Sequence, residues 1–184
     1  VMDDLKAARV PVLILSGGEP LLRRDIFEVS ARAKAMGFYV GLSSNGALID
    51  EPMAERIAAV GYDYVGVSLD GIGAVHDRFR RVPGAYAASL AGIRRCHDLG
   101  IKVGLHFTVT ERNVESLPEM LALMEAERLD KFYLSHLVYS GRGDRYRDAD
   151  AHHRTTRAVM DLLFERCWAH VLEGRHTDFV TGNN

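Results

Sequence analysis

Val10-Pro11-Val12-Leu13-Ile14-Leu15-Ser16-Gly17-Gly18-Glu19-Pro20 passes from a β-branched, apolar run into a polar turn with paired glycines. From Asp25 to Met36 the chain then takes on helical period. Near-continuous apolar character marks a strand covered on both faces, and the succession of strand, polar turn and helix is the unit of a parallel sheet. The same order recurs. Phe38 to Leu42, Tyr64 to Val67, Val103 to Val109 and Phe132 to Leu137 read as further parallel strands, which makes five βα units. Glu51 to Val60, Tyr86 to Leu99, Val114 to Glu127 and His152 to Leu172 read as helices. Gly37, Gly61, Gly100 and Gly174 stand just past helical runs, where a left-handed terminal residue is easiest for glycine. Such repetition builds either an open doubly wound sheet or a TIM-type barrel and does not by itself choose between them. The chain opens in a helical run, Met2 to Arg9, and ends on Thr181-Gly182-Asn183-Asn184 with no closing element. That reads as a piece of a longer protein, with a strand and its loop upstream.

The bulk properties narrow the function. A chain of 184 residues fits one domain, and a domain of this size buries roughly 70% of its unfolded surface. Lys plus Arg is 23 and Asp plus Glu is 25, a formal charge of −2, so no basic excess draws the chain to nucleic acid or an anionic membrane. No apolar run approaches the roughly 20 residues a bilayer span needs, and no secretion signal opens the chain. These features predict a cytoplasmic protein that handles a small substrate or a protein partner. Cys96 and Cys167 lie in helical patterns with no partner at metal-ligand spacing, so they read as partly buried thiols, and no metal ligand is expected in this stretch.

In parallel α/β folds ligands bind at the carboxyl ends of the strands. The residues found there are polar: Ser16-Gly17-Gly18-Glu19-Pro20 after the first strand, Ser43-Ser44-Asn45-Gly46 after the second, Ser68-Leu69-Asp70-Gly71 after the third. Toward the ends of the fourth and fifth come His106, Thr108, Thr110 and Asn113, then Ser135, His136 and the Gly141-Arg142-Gly143 turn. Adjacent glycines let a ligand approach the backbone, and exposed N–H and C=O groups there can grip an amino acid head group. Glu19 adds a negative charge that welcomes an ammonium or sulfonium and repels phosphate; neither the G-x-G-x-x-G nor the Lys-bearing phosphate loop is present. Ser43, Asn45, Ser68 and Asp70 carry the short hydroxyl, amide and carboxylate groups that suit ribose hydroxyls and a carboxylate. Taken singly, each of these motifs also reads as a plain turn. Three of them at the ends of successive strands point to one ligand.

The ordered set Ser16-Gly17-Gly18-Glu19-Pro20-Leu21-Leu22-Arg23, Ser43-Ser44-Asn45-Gly46 and Ser68-Leu69-Asp70-Gly71 resembles the radical S-adenosylmethionine (SAM) superfamily. The run His76-Asp77-Arg78-Phe79-Arg80-Arg81, with Gly84 and Tyr86, is similar to the branch with auxiliary-cluster (SPASM) cysteines. Within it, residues 132–143 and 180–184 look like NirJ-type proteins of haem d1 biosynthesis. The resemblance implies a partial (β/α)6 TIM-type barrel, of which residues 1–184 are the core. The cluster-binding N-terminus, with its Cys-x3-Cys-x2-Cys loop, and a C-terminal auxiliary-cluster domain would lie outside.

The resemblance also implies roles. Gly17, Gly18 and Glu19, with Pro20, would bind the methionyl amino group of SAM. Ser68, with Ser43 or Asn45 and beside Asp70, would contact ribose or carboxylate, and His136 would lie against the adenine. A reduced [4Fe–4S] cluster, fed by a donor such as flavodoxin or ferredoxin, would supply the electron that yields a 5′-deoxyadenosyl radical. A further auxiliary [4Fe–4S] cluster belongs to the same expectation. The implied substrate is a tetrapyrrole, didecarboxysirohaem, which loses propionate side chains. Arg81, His106, Thr108 and Arg142 are the candidate substrate contacts, and Arg78, Arg80, Arg145 and Arg147 add cations suited to its carboxylates. Residues 1–184 alone, lacking a cysteine triplet, are expected to be inert. Three rivals remain: a nucleotide-phosphate enzyme on the same fold, a barrel kept as a non-catalytic binding module, and a related enzyme that decarboxylates haem precursors or modifies peptides.

Overall fold

The computed structural model describes residues 1–139 and 147–183. Contacts divide the chain into two compact units, Val1–Ser68 with Ala87–Val103, and Leu69–Tyr86 with Gly104–Asn184.

In the first unit α1 (Met2–Ala7) leads to β1 (Val12–Leu15), α2 (Ile26–Ala35), β2 (Tyr39–Ser44), α3 (Glu51–Val60) and β3 (Tyr64–Ser68). The strands pair in parallel and in sequence order, with Leu15 opposite Leu42 and Ser44 opposite Val67. All three therefore end on the same edge. Val40, Leu42, Val65 and Val67 are fully buried, as are Ala54 and Ile57 of α3. Each large apolar side chain removed from water contributes roughly 1.5–3 kcal/mol. Local chemistry sets the limits of α3: the Asp50 carboxylate accepts from Met53 N at 2.9 Å, and Gly61 ends the helix in the left-handed region at φ 72°. Gly46 is required for space as well as for its φ of 77°, since a Cβ there would sit 2.6 Å from Val67 Cγ1.

The second unit holds α4 (Ala74–Arg80), most of β4 (Val103–Thr108), α6 (Leu117–Ala126), β5 (Lys131–His136), α7 (His153–Leu172) and β6 (Asp178–Asn183). Helix α5 (Ala85–Asp98) precedes β4 and lies mostly in the first unit. Strands β4, β5 and β6 again pair in parallel and in order, with Thr108 opposite Ser135 and His136 opposite Asn183. Leu105, Phe107, Phe132 and Leu134 are fully buried, and the Phe107 and Phe132 rings stack with centroids 6.4 Å apart.

The helices and five strands expected from the sequence are present, with ends within two residues except for the start of α6, three residues later than expected. Two elements differ. The terminal stretch, which reads as an unclosed tail, is β6. Its Thr-Gly-Asn sequence has turn character, and pairing with β5 overrides that. Helix α4, in a stretch to which the sequence assigned no element, is seven residues long, too short to show a period. The first turn of the helix expected from Val114 is a separate 3-10 turn, Val114–Ser116.

Candidate active site

The first unit assembles its candidate site from the turns after β1 and β2 and the end of β3 at Ser68. Glu19 joins the first two. Its Oε1 accepts from Ser44 Oγ at 2.9 Å and from Leu21 N at 3.1 Å, and its Oε2 accepts from Asn45 N at 2.8 Å. The carboxylate thus caps the single 3-10 turn Pro20–Leu22 and holds the glycine turn to the end of β2. Ser44, which the sequence does not distinguish from Ser43, is buried and passes the contact on, its Oγ accepting from Gly46 N at 3.0 Å. Asn45 Oδ1 accepts from Ala47 N at 2.8 Å, closing the turn, and its carbonyl accepts from Ser89 Oγ at 2.7 Å. Pro20 is buried, while Ser43, Asn45 and Ser68 are half-buried at the strand ends.

Gly17 and Gly18 are exposed above this staple. Gly17 needs glycine for its φ of 147°. Gly18 has no such need, and a Cβ added there would meet nothing within 4 Å. Packing of the described residues does not explain a glycine at that position, and the missing side chain leaves the backbone open to close approach. Glu19, expected to bring a free negative charge to a ligand ammonium, spends three of its roughly four acceptor positions within the protein. Its first effect is to hold the turn.

The second unit gathers the candidates that follow β3 and β4. Asp70, expected at the ligand, has no exposed surface. Its Oδ1 accepts from Thr108 N at 3.1 Å, and its Oδ2 forms an ion pair with Arg80 Nη2 at 2.5 Å. Burial pushes this carboxyl above the usual range, against the pull of Arg80 and of the Thr108 amide. Asp70 therefore organises the strand ends. Its backbone serves the same purpose, since Asp70 N donates to His76 Nδ1 at 3.0 Å and Asp70 O accepts from Asn113 Nδ2 at 3.0 Å. His76 is buried and held neutral, pushed down to about 4 by burial and then by the Arg80 charge. Asn113 also donates to Thr108 O and accepts from Thr110 N and Oγ, so all its polar capacity is used.

His106 is half-buried with its ring 5.1 Å from that of Tyr133, and burial followed by Lys131 lowers it to about 4. Thr108 Oγ1 meets Ser135 Oγ at 3.1 Å, and His136 is half-buried at the end of β5. Beside them opens a cavity of about 530 Å³ whose lining includes Arg78, Arg80, Arg81, Arg112, Thr108 and Thr110. Arg147 stacks over the Tyr139 ring at 4.8 Å. Arg142 and Arg145 lie outside the described residues. His152 caps α7 and its amide donates to Glu111.

Cys96 is buried and its thiol is pushed up to about 11, while Cys167 is half-buried; both are free. Among the described residues no three His, Cys, Asp or Glu side chains gather to hold a metal ion. No helix among them is long and apolar enough to cross a membrane.

A family model described as the Radical SAM superfamily matches residues 1–124. Over its whole length the chain is 53% identical to a pre-heme d1 synthase of Dinoroseobacter shibae, of which it covers 46%. Over 90% of its length it is 43% identical to an Fe-coproporphyrin III synthase of Methanosarcina barkeri, of which it covers 42%. The chain thus spans under half the length of these curated relatives. Among solved structures, Streptococcus suis SuiB bound to S-adenosylmethionine superposes with a TM-score of 0.76 at 16% identity, covering 98% of this chain and 40% of that one. Such a likeness shows the fold, α/β of the partial (β/α)6 TIM type.

Proposed function

The chain belongs to the radical SAM superfamily, and from that membership we propose that it forms the SAM-holding core of an enzyme that removes propionate side chains from a haem d1 precursor, didecarboxysirohaem. The observation that carries the SAM assignment is the turn held by Glu19, which leaves the Gly17–Gly18 backbone open where no packing demand keeps Gly18 a glycine. In this reading the Gly17 and Gly18 backbone grips the methionyl amino group. Glu19 and Pro20 fix the turn. Ser43, Asn45 and Ser68, half-buried at the ends of β2 and β3, take the carboxylate and ribose hydroxyls. Asp70 acts on the ligand only through the strand ends it positions.

With SAM held by Gly17, Gly18, Ser43, Asn45 and Ser68, the cofactor would supply radical hydrogen-abstraction chemistry. The chain's own residues would orient the ligand. The described residues supply no ligand set for the [4Fe–4S] cluster of the proposed enzyme, so its thiolates come from elsewhere in the protein. A flavodoxin or ferredoxin would serve as electron donor, and an auxiliary cluster belongs to the same proposal. Arg81, His106 and Thr108 face the tetrapyrrole in this reading. The names of the two relatives, one on the haem d1 route and one making an iron coproporphyrin, favour that substrate class.

The test is anaerobic reconstitution of the full-length protein with iron, sulfide, SAM and dithionite. We expect 5′-deoxyadenosine to form, and didecarboxysirohaem to lose mass as its propionates leave. A cluster-loaded protein that releases no 5′-deoxyadenosine would contradict the proposal.

A further inference from the structure

We infer that the C-terminal half of α7 carries a docking surface, and that its occupant is the segment of the full-length protein that follows Asn184. Helix α7 is apolar on two faces. Val159, Leu163 and His170 are buried, and the His170 ring stands edge-on to Phe179 of β6 with centroids 5.1 Å apart. Phe164, Trp168, Val171 and Leu172 form a second stripe at i, i+4, i+7 and i+8, and they are 65%, 61%, 59% and 70% exposed. Exposed apolar residues scattered singly are ordinary, whereas four together on one helix, two of them aromatic, mark a contact surface. The patch has a clear limit. On the N-terminal half of the outer face Arg154, Arg157, Asp161 and Glu165 are exposed, as befits a solvated helix.

The flank on which the stripe lies says what covers it. Arg166 and His170 reach Glu125 of α6 at 3.4 and 3.1 Å, so α6 lies along one side of α7. At about 100° per residue, Phe164, Trp168 and Val171 stand roughly 140–160° round the helix from Arg166. They are turned away from α6, toward the outer side of β6, which pairs with β5 alone among the described residues. Crossovers from parallel strands are right-handed, so an element packed after β6 arrives on the face that holds α6 and α7, beside α7 and away from α6. There is chain to supply it. The pre-heme d1 synthase of D. shibae matches all of residues 1–184 and is more than twice as long, since the match covers 46% of it. The inference rests on the domain order read from the sequence, which puts part of that length after Asn184, and not on the identity of the substrate. A tethered segment also meets the stripe at an effective concentration on the order of millimolar, ahead of a free partner.

The test puts the photo-crosslinking residue p-benzoylphenylalanine at position 164 or 168 of the full-length, cluster-loaded protein and maps the linked peptides by mass spectrometry. We expect both positions to link, within one chain, to a segment beyond residue 184. The same residue at position 157, on the polar half of the face, should give at least about tenfold less linked product, in keeping with its solvated surroundings. Trp168→Glu supplies a second readout. A charge placed in a covered apolar contact should lower Tm by at least about 3 °C, whereas at an exposed position Tm should stay within about 1 °C. If Trp168→Glu does not fold, the crosslinks still decide, because those variants keep an aromatic side chain in place. Links between two chains, links confined to residues 1–184, no links from positions 164 and 168, or a wild-type Tm in Trp168→Glu would each overturn the inference. Release of 5′-deoxyadenosine by the unmodified protein reports separately on the enzyme reading. A protein that cleaves SAM but links to a second copy keeps the proposed function and loses this docking surface.

Discussion

Arg80→Met should lower the stability of the second unit by about 3–5 kcal/mol, because it strands the Asp70 carboxylate in a site with no exposed surface. For a chain of this length that corresponds to a fall in Tm of roughly 10 °C. Met keeps much of the Arg side chain's apolar contact, so the loss reports on charge rather than packing. The pH dependence has a definite sign. Burial already raises the Asp70 carboxyl, and without Arg80 it rises further. A carboxyl whose folded value is raised contributes its stability below the unfolded value and loses it as pH climbs through the folded one. The variant should therefore be most deficient at neutral pH and recover on acidification toward pH 4. Adding Asp70→Asn should restore most of the loss at pH 7, since the amide oxygen can still accept from Thr108 N. Thermal unfolding of the two single variants and the double variant checks this; a simple sum of effects would show that the pair is not coupled.

Glu19→Gln is expected to weaken SAM binding by roughly 10- to 100-fold, the free energy of one or two charge-assisted hydrogen bonds. Two donors converge on one carboxylate oxygen and a third on the other. An amide has a single acceptor oxygen. If that oxygen faces Ser44 Oγ and Leu21 N, the NH2 group meets the Asn45 amide donor to donor; if it is turned round, two donors are left unmet. In either arrangement the turn carrying Gly17 and Gly18 comes away from β2. Equilibrium titration of SAM into the cluster-loaded protein, followed through the cluster's electron paramagnetic resonance signal, measures the effect. Unchanged affinity would mean that the turn keeps its shape without the carboxylate.

Residues whose partners lie close in sequence were legible, and those whose partners lie far away were not. Gly61 stops α3 from within its own helix, and the apolar runs of β1 to β5 announce themselves. Strand β6 depends on β5, some 47 residues earlier in register, and no local signal outweighs Thr181-Gly182-Asn183. At the site, the glycine pair and Glu19 stand out as residue types. Choosing Ser44 over Ser43 requires the Glu19 contact, because a strand buried on both faces gives no alternation to read. Asp70 looked like a ligand-facing group because strand ends in this fold are where ligands bind. Its burial depends on Arg80, Thr108 and Asn113 coming together, and spacing along the chain does not reveal that.

The most direct measurement is the SAM affinity of Gly18→Ala in the full-length, cluster-loaded protein, with thermal unfolding of the same sample. Gly18 lies outside the left-handed region and an added Cβ has open space, so Tm should hold or rise slightly. The methyl group would occupy the space in which the amino acid head group is proposed to meet the backbone, and the dissociation constant for SAM should rise at least tenfold. Wild-type affinity in a variant that folds normally would contradict the claim that this turn holds the ligand.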